Sequence, residues 1–319
     1  MKIIDLVNIK HSIDTDLALA LGYFDGIHLG HQKILKKTVD EARKAGIASG
    51  IFTFRQHPIE VLNPKLCFPY LTTLEEKQLL VKKTGIEYYI ETDFTKVFSQ
   101  LTPEHFVQRI LLKKLNGKIF IAGRDYRFGH GGAGDVELFD KLLKPTSSKL
   151  VLVDKVNLDQ LKISSTRIRE ALLMGYVDEA NEMLGRWYSI SGKVKPGKGV
   201  GRKLGIPTAN IDIHQDKIFP RPGVYCVIVR VNQNIYCGIA HLGDKPTFKE
   251  HHYNLEVNIF DFNQDIYGKH IRVYFLNHIR DTSRYSTVDE MMGQINMDIE
   301  YCRTFLCSIN EETINENIN

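Results

Sequence analysis

Gly22 to His31 reads GYFDGIHLGH, which sets glycines at 22, 26 and 30 around two histidines, His28 and His31, three residues apart. Glycine lets the chain turn tightly and lets an anion approach the backbone. Imidazoles can donate to phosphate oxygens and stabilise charge as it develops on them. This combination suits a nucleotide polyphosphate losing pyrophosphate. An H-x-x-H pair with no carboxylate or cysteine set beside it is a weak zinc signal.

A second anion-type segment lies far downstream. Lys193 to Asn210 reads KVKPGKGVGRKLGIPTAN, with five basic side chains and glycines at 197, 199, 201 and 205. GKVKPGKG resembles a phosphate-binding P-loop only superficially. The hydroxyl position is Gly199, and the surroundings have strand rather than strand-to-helix patterning. Two phosphate-type segments in one chain suggest two chemistries.

The elements that must hold these segments follow from periodicity. Leu17–Leu21 (LALAL) is an apolar run of buried-strand type, and Leu35, Val39 and Ala42 recur at helical spacing after Gln32. The first loop therefore leads from a strand to a helix N-terminus, where orphan N–H groups favour anions. Further strands are expected at Ala48–Phe54, Tyr88–Glu91, Lys118–Ala122 and Leu150–Val156. Helices are expected at Gln32–Ala45, Leu74–Thr84 and Pro103–Leu115. Such alternation predicts a parallel sheet with right-handed crossovers, whose ligands sit at the carboxyl ends of the strands.

Two shorter helices follow, around Ile168–Leu172 and Val177–Leu184, and Gly185 stops the second. Beyond them the period becomes two. Gly223–Val231 and Ile235–Leu242 flank a short hairpin loop, and Leu255, Val257 and Ile259 share one face of a strand. That half predicts an antiparallel barrel or sandwich. A closing helix places Val288, Met291, Met292, Ile295, Ile299, Cys302 and Leu306 on one face, as core docking. The expected domains are 1–185, 186–308 and a polar tail over 309–319 that should fray.

At 319 residues the chain suits two domains, and 43% hydrophobic with 25% charged content is ordinary for a globular protein. No run reaches the roughly 18 apolar residues of a membrane span, and the N-terminus has too short an apolar stretch for a secretory signal. Five cysteines, an odd number without metal-type spacing, argue against a disulfide framework. A reducing, cytoplasmic setting is expected. The net charge of +4 is mild, and its basic residues cluster at the second glycine segment. That favours a small anion over nucleic acid.

GYFDGIHLGH resembles the HIGH-type nucleotidyltransferase signature, in the form found in the adenylyltransferase half of bacterial bifunctional riboflavin kinase/FAD synthetases. The match continues in order through FTFRQHP (Phe52–Pro58), GRDYRFGHGGAGD (Gly123–Asp135) and ISSTRIRE (Ile163–Glu170). Downstream, GKGVGRKLGIPTAN resembles the flavokinase pattern, and NLEVNIFDFNQDIYGK resembles that family's catalytic-glutamate strand. The resemblance spans roughly residues 15 to 306. It implies an α/β plus all-β chain: a Rossmann-like HIGH-type nucleotidyltransferase domain, then an antiparallel β-barrel flavokinase domain with a terminal helix.

The implied activities are phosphorylation of riboflavin to FMN by the C-terminal half and adenylylation of FMN to FAD by the N-terminal half. Riboflavin, FMN, FAD, ATP, ADP and pyrophosphate are the implied partners, with Mg²⁺ required and a homo-oligomer left open. In the first half the resemblance puts His28, His31 and Arg169 at the reacting phosphates. Gly22, Phe24, Asp25, Gly26, Gly30, Ser164, Ser165 and Thr166 would surround ATP. His57, Asp125, Tyr126 and Phe128 would contact flavin. In the second half Gly199, Gly201, Arg202, Lys203, Gly205 and Pro207 would meet phosphate, and Thr208 and Asn210 would help to hold magnesium. Tyr225 and Arg280 would meet flavin. Glu256, on the strand face opposite Leu255, Val257 and Ile259, is the general-base candidate for a poorly nucleophilic ribityl hydroxyl.

The chain departs from the family pattern at His241, where asparagine is usual, and at Thr282 and Tyr285 after the last strand. These changes bear on the flavin edge rather than the fold. Two rival readings are a chain with only one active half and a non-catalytic flavin sensor. The sensor would be supported by an extended basic face with interleaved aromatics, and the sequence has none.

Overall fold

The computed structural model describes the chain apart from Cys67, Lys198, Val200, Arg202, Lys203, Gln215, residues 247–250 and Asn319. Its contacts divide it into two compact units, Met1–Ser165 and Thr166–Asn319.

In the first unit, six parallel strands form one sheet. They are β1 (Lys2–Asp5), β2 (Leu17–Leu21), β3 (Ala48–Phe54), β4 (Tyr88–Thr92), β5 (Gly117–Gly123) and β6 (Lys149–Val153), in the order β1-β4-β3-β2-β5-β6. All five β2 residues are buried, as expected for a strand covered on both faces. The chain adds β3 and β4 on one side of β2, then returns to place β5 on the other side. A reversal of this kind opens a crevice at the strands' carboxyl ends. The loops after β2 and β5 are the glycine–histidine loop and the segment from Gly123.

Helix α1 (Leu29–Ala45) follows β2, with Gly46 closing it in the left-handed region at φ 66°. α2 (Pro58–Leu62) and α3 (Leu74–Lys83) come next, and α3 starts with a reciprocal Thr73/Glu76 capping box. The expected helix over Pro103–Leu115 forms in two parts: α5 (Pro103–His105), preceded by α4 (Lys96–Ser99), and a π-helical stretch over Phe106–Lys114. Phe106 packs there among Phe52, Phe98 and Phe128, and that tertiary aromatic cluster offsets the poorer hydrogen-bond geometry. The sequence reading missed the edge strand β1. It also missed α6 (Val136–Leu143) and the hairpin β7 (Asn157–Leu158)/β8 (Leu161–Lys162), whose turn residues Asp159 and Gln160 both have positive φ. The two strands of that hairpin are too short to show a period.

In the second unit, α7 (Ser165–Met174, its first residue still in the first unit) and α8 (Val177–Leu184) precede a closed antiparallel barrel. Its strands are β9 (Tyr188–Lys195), β10 (Ala209–Ile213), β11 (Gly223–Val231), β12 (Asn234–Pro246), β13 (His251–Ile259) and β14 (His270–Asp281), in the order β10-β13-β12-β11-β14-β9. Asn181 on α8 ties the helix to the barrel, donating to the Phe275 carbonyl and accepting from the Tyr188 N–H. Helices 165–184 therefore pack with the barrel, whereas the sequence assigned them to the first domain.

The helix Val288–Cys307 docks through its C-terminal half, where Cys302 and Leu306 are buried against Cys226 and Ile239. The expected apolar stripe is not all core, since Val288 is 56% exposed. The tail expected to fray is a helix, Glu311–Ile318. Ile314 and Ile318 join the same cluster, and the Ile318 carbonyl accepts from the Tyr274 hydroxyl. Two isoleucines one helical turn apart give the otherwise polar tail an apolar edge to bury.

Candidate functional sites

Phe24 (φ 60°) and Ile27 (φ 41°) carry the glycine–histidine loop through the left-handed region, together with Gly26 (φ 82°). Each non-glycine residue there costs about 1–2 kcal/mol. Both side chains are almost fully buried, and each burial is worth about 1.5–3 kcal/mol, which offsets the strain. Gly22 and Gly30 serve by clearance. A Cβ on Gly22 would meet the Phe24 ring at 3.0 Å, and one on Gly30 would meet His28 Cε1 at 3.0 Å.

His28 caps α1. Its Nδ1 accepts from the His31 N–H at 3.3 Å, so in the neutral ring the proton sits on Nε2. The His31 ring stacks on it with centroids 3.6 Å apart. Both imidazoles line a cavity of about 790 Å³, shared with Gly22, Phe24, Gly30 and the segment after β5. Asp125, Tyr126, Phe128, Ser164 and Ser165 line it too. Burial pushes the Asp125 carboxyl up, but the hydrogen bond and charge of Lys162, helped by Lys155, outweigh that and hold it below its ordinary range. Tyr126 and Phe128 stack with centroids 5.7 Å apart, and Phe128 also packs in the core beside Phe139.

Asp25, Gly26 and His57 are not among the residues that line the cavity. The Asp25 carboxylate is buried and accepts from the Leu71 and Thr72 N–H groups and from the Thr72 hydroxyl. The Gly26 N–H donates back to that hydroxyl, and Ser165 Oγ donates to the Asp25 carbonyl. These contacts fix the loop's shape. His57 caps α2 through Nδ1, stacks on Phe68 at 4.0 Å and meets Tyr23 edge-on at 4.6 Å. Thr166 and Arg169 lie on α7 in the second unit.

In the barrel, strand register assembles a second constellation. Asn210 pairs with Glu256 across β10 and β13, and Glu256 pairs with His241 across β13 and β12. Cross-strand partners share a face, so amide, carboxylate and imidazole stand in one row. That face is opposite the buried Leu255, Val257 and Ile259, as expected. Asn254 donates to Glu256 Oε1 at 2.7 Å, and Asn258 donates to the Pro207 carbonyl at 2.7 Å. The His241 departure therefore stands directly beside the candidate base.

The glycines before β10 leave space for this row. A Cβ on Gly197 would lie 2.2 Å from Asn210 Nδ2, and one on Gly201 would lie 2.4 Å from the Ile206 carbonyl oxygen. Gly199 (φ 70°) and Gly205 (φ 80°) hold left-handed backbone. Pro207 and Thr208 line a cavity of about 350 Å³ with Phe262–Tyr267. Arg202 and Lys203 lie outside the described residues.

Tyr225 and Arg280 serve packing here. Tyr225 is buried against Phe275, with its hydroxyl donating to the Arg221 carbonyl. The Arg280 guanidinium makes a two-pronged contact with the buried Asp298 at 2.7 and 2.9 Å, clamping the helix Val288–Cys307 to β14. Among residues the sequence reading passed over, Thr53, Thr72 and Lys77 brace the first loop and Asn254 orients Glu256. The T-x-x-E capping box of LTTLEEK could have flagged Thr72 and Lys77, which flank it, but not Thr53.

Fold and site together define a nucleotidyltransferase-type α/β unit and a flavokinase-type barrel carried on one chain. Residues 10–167 match the family model described as FAD synthetase, and residues 184–306 match that described as riboflavin kinase. A bifunctional riboflavin kinase/FMN adenylyltransferase from Bacillus subtilis is 36% identical, over 93% of this chain and 96% of that protein. One of the same description from Listeria monocytogenes is 35% identical, over 96% of this chain and 99% of that protein. A crystal structure described as a macrolide-efflux protein from Streptococcus pneumoniae superposes with a TM-score of 0.88 at 35% identity, covering 95% of this chain and 99% of that one. The chain belongs to the bifunctional riboflavin kinase/FMN adenylyltransferase family. Among the described residues no helix is long and apolar enough to cross a membrane.

Proposed function

We propose that the barrel unit phosphorylates riboflavin to FMN with ATP and that the parallel-sheet unit adenylylates FMN to FAD, releasing pyrophosphate. The observation that carries this reading is that the two glycine segments serve separate polar constellations, one in each compact unit. One is the histidine-lined 790 Å³ cavity, and the other is the Asn210–Glu256–His241 row.

For adenylyl transfer, a phosphate oxygen of FMN attacks the α-phosphorus of ATP, and the bond to pyrophosphate breaks. FMN is already an anionic nucleophile, so the protein supplies placement and charge stabilisation rather than a strong base. His28 and His31 donate to the phosphates. Gly22, Gly30, Ser164 and Ser165 form the nucleotide wall, and Asp125, Tyr126 and Phe128 face the flavin or adenine.

For kinase transfer, Glu256 accepts the proton of the ribityl hydroxyl as that oxygen attacks the γ-phosphorus and ADP leaves. Asn254 keeps the carboxylate oriented for this. Thr208, just before β10, and Asn210, on it, offer a hydroxyl and an amide oxygen that suit a hard cation, and Gly197 leaves room for the Asn210 side chain. Mg²⁺ held there would neutralise phosphate charge. Among the described residues no three His, Cys, Asp or Glu side chains form a metal group, so phosphate and water would complete the shell. A cytoplasmic location accords with these small-molecule substrates.

The test is a time course with riboflavin, ATP and Mg²⁺, and a parallel one with FMN, ATP and Mg²⁺, resolved by chromatography. Sequential FMN and FAD from the first, and FAD from the second, are expected. FMN alone would restrict activity to the barrel. FAD from FMN with none from riboflavin would restrict it to the sheet unit. Flavin binding without turnover would leave the sensor reading.

A further inference from the structure

Lys77 sits on α3, in a helix whose sequence LEEKQLLVKK reads as amphipathic with solvated lysines. The structure buries it: only 3% of the residue is exposed. Its ammonium donates to the Phe54 carbonyl at 2.9 Å and to the Tyr23 carbonyl at 3.4 Å, and lies 4.5 Å from the centre of the Tyr23 ring. Phe54 ends β3, and Tyr23 lies one residue into the glycine–histidine loop. The same Tyr23 carbonyl also accepts from Thr53 Oγ1 at 2.8 Å. One buried cation thus bridges the loop after β2 to the end of β3.

Burying an ammonium costs several kcal/mol unless its surroundings compensate. Two carbonyls and an aromatic face compensate only in part. A lysine used purely for packing would be replaced by an apolar residue without that cost. The retained charge instead goes where the loop needs a donor that reaches two strands' ends at once.

We infer that Lys77 is a positioning residue for adenylyl transfer, its ammonium fixing the Tyr23 end of the loop so that His28 and His31 meet the phosphates. This rests on the function proposed above. The groups that face it are Tyr23 and Asp25 in the loop and Glu91 on β4, with Tyr70 and Glu60 reaching Tyr23 and Arg55 pairing with Glu91. Burial draws the Lys77 pKa down from 10.5 to about 8, against the pull of Asp25 and Glu91. Neutralisation removes the charge from the bridge within an ordinary working range of pH. The sign for stability is the reverse. Between pH 8 and 10.5 the unfolded chain holds more protons at this lysine, so its folding penalty eases as pH rises. Activity should therefore fall where the fold does not.

The test compares wild type, Lys77→Met, Thr53→Val and, as a control, the exposed Lys82→Met. FAD formation from FMN is followed between pH 6.5 and 9.5, with hydrogen exchange of the Gly26, His31 and Gln32 amides. Wild-type kcat should fall above about pH 8, and the protection of the three amides, corrected for the intrinsic rise of exchange with pH, should fall over the same range. Lys77→Met should lower kcat on the order of tenfold or more while the KM for FMN changes little. It should lose the basic limb and show low protection of the loop amides at every pH. Thr53→Val should lower kcat less and keep the limb, and Lys82→Met should match wild type. A wild-type profile flat to pH 9.5 with unchanged protection of the loop amides overturns the inference, even if Lys77→Met fails to fold. So does a folded Lys77→Met with wild-type kcat. If wild type makes no FAD, the proposed function falls, and the exchange data still decide whether Lys77 pins the loop.

Discussion

In the loop between β2 and α1, left-handed backbone falls on Phe24, Gly26 and Ile27, whereas before β10 it falls on Gly199 and Gly205. The first loop is held in a strained shape by what surrounds it: two buried side chains, the Asp25 carboxylate gripping residues 71 and 72, the Ser165 hydroxyl and the Lys77 bridge. The second reaches its shape because glycine meets little steric penalty there, and because a Cβ would collide with the Ile206 carbonyl or the Asn210 amide. Similar composition, glycines among polar and basic residues, thus conceals two ways of fixing a phosphate-type loop. One depends on distant contacts and the other on the absence of side chains.

The comparison is broken most severely at the chemistry itself. Glu256→Gln should lower riboflavin phosphorylation by about 10²–10⁴ in kcat, the usual worth of a placed base, while FAD formation from supplied FMN persists. Equal loss of both activities would mean that the units do not work separately. His28→Ala should lower FAD formation by about 10²–10³ through loss of a charge-stabilising donor, with phosphorylation of riboflavin retained. Steady-state assays with riboflavin and with FMN read both variants.

Gly201→Ala sharpens the contrast between the loops. Its new methyl would sit 2.4 Å from the Ile206 oxygen, so the turn must open. The kinase KM for ATP should rise about tenfold or more, as expected when about 1–2 kcal/mol of binding geometry is lost. Gly22→Ala meets only the edge of the Phe24 ring, and its effect on FAD formation should be smaller. The reverse ranking would show that the first loop also depends on its glycines.

The smallest effect concerns α1, whose N-terminus carries His28. Hydrogen bonds from Lys149 on β6 and from Lys37 pull the Glu41 carboxyl down from 4.5 to about 2, against the opposing push of burial. A depressed carboxyl contributes stability above its unfolded pKa and loses it as pH falls from about 4.5 toward 2. Glu41→Gln should therefore melt earlier than wild type near neutral pH, and the gap should close in acid. A gap that is constant with pH would remove the ion pair from the account.

Much of the architecture was legible because period and burial coincide. LALAL gave β2, the alternation of Leu255, Val257 and Ile259 gave β13, and that alternation put Glu256 on the opposite face. The π-helical stretch over Phe106–Lys114 was not legible, since its apolar spacing reads as an ordinary helix and Phe106 packs against rings from three other segments. Nor was the docked helix Glu311–Ile318, whose two buried isoleucines sit in an otherwise polar tail.

Local sequence by itself determined which segments could turn around phosphate, which residues carry acid, base and donor groups, and where strands and helices alternate. These properties reside in side-chain chemistry and in near-neighbour periodicity. Tertiary structure decided that Asp25 grips backbone N–H groups rather than facing phosphate, that Arg280 clamps Asp298, that Asn210, Glu256 and His241 stand in one row, and that Lys77 is buried beneath Tyr23. Each of those outcomes depends on residues far apart in the chain, whose pairing is set by strand register and packing.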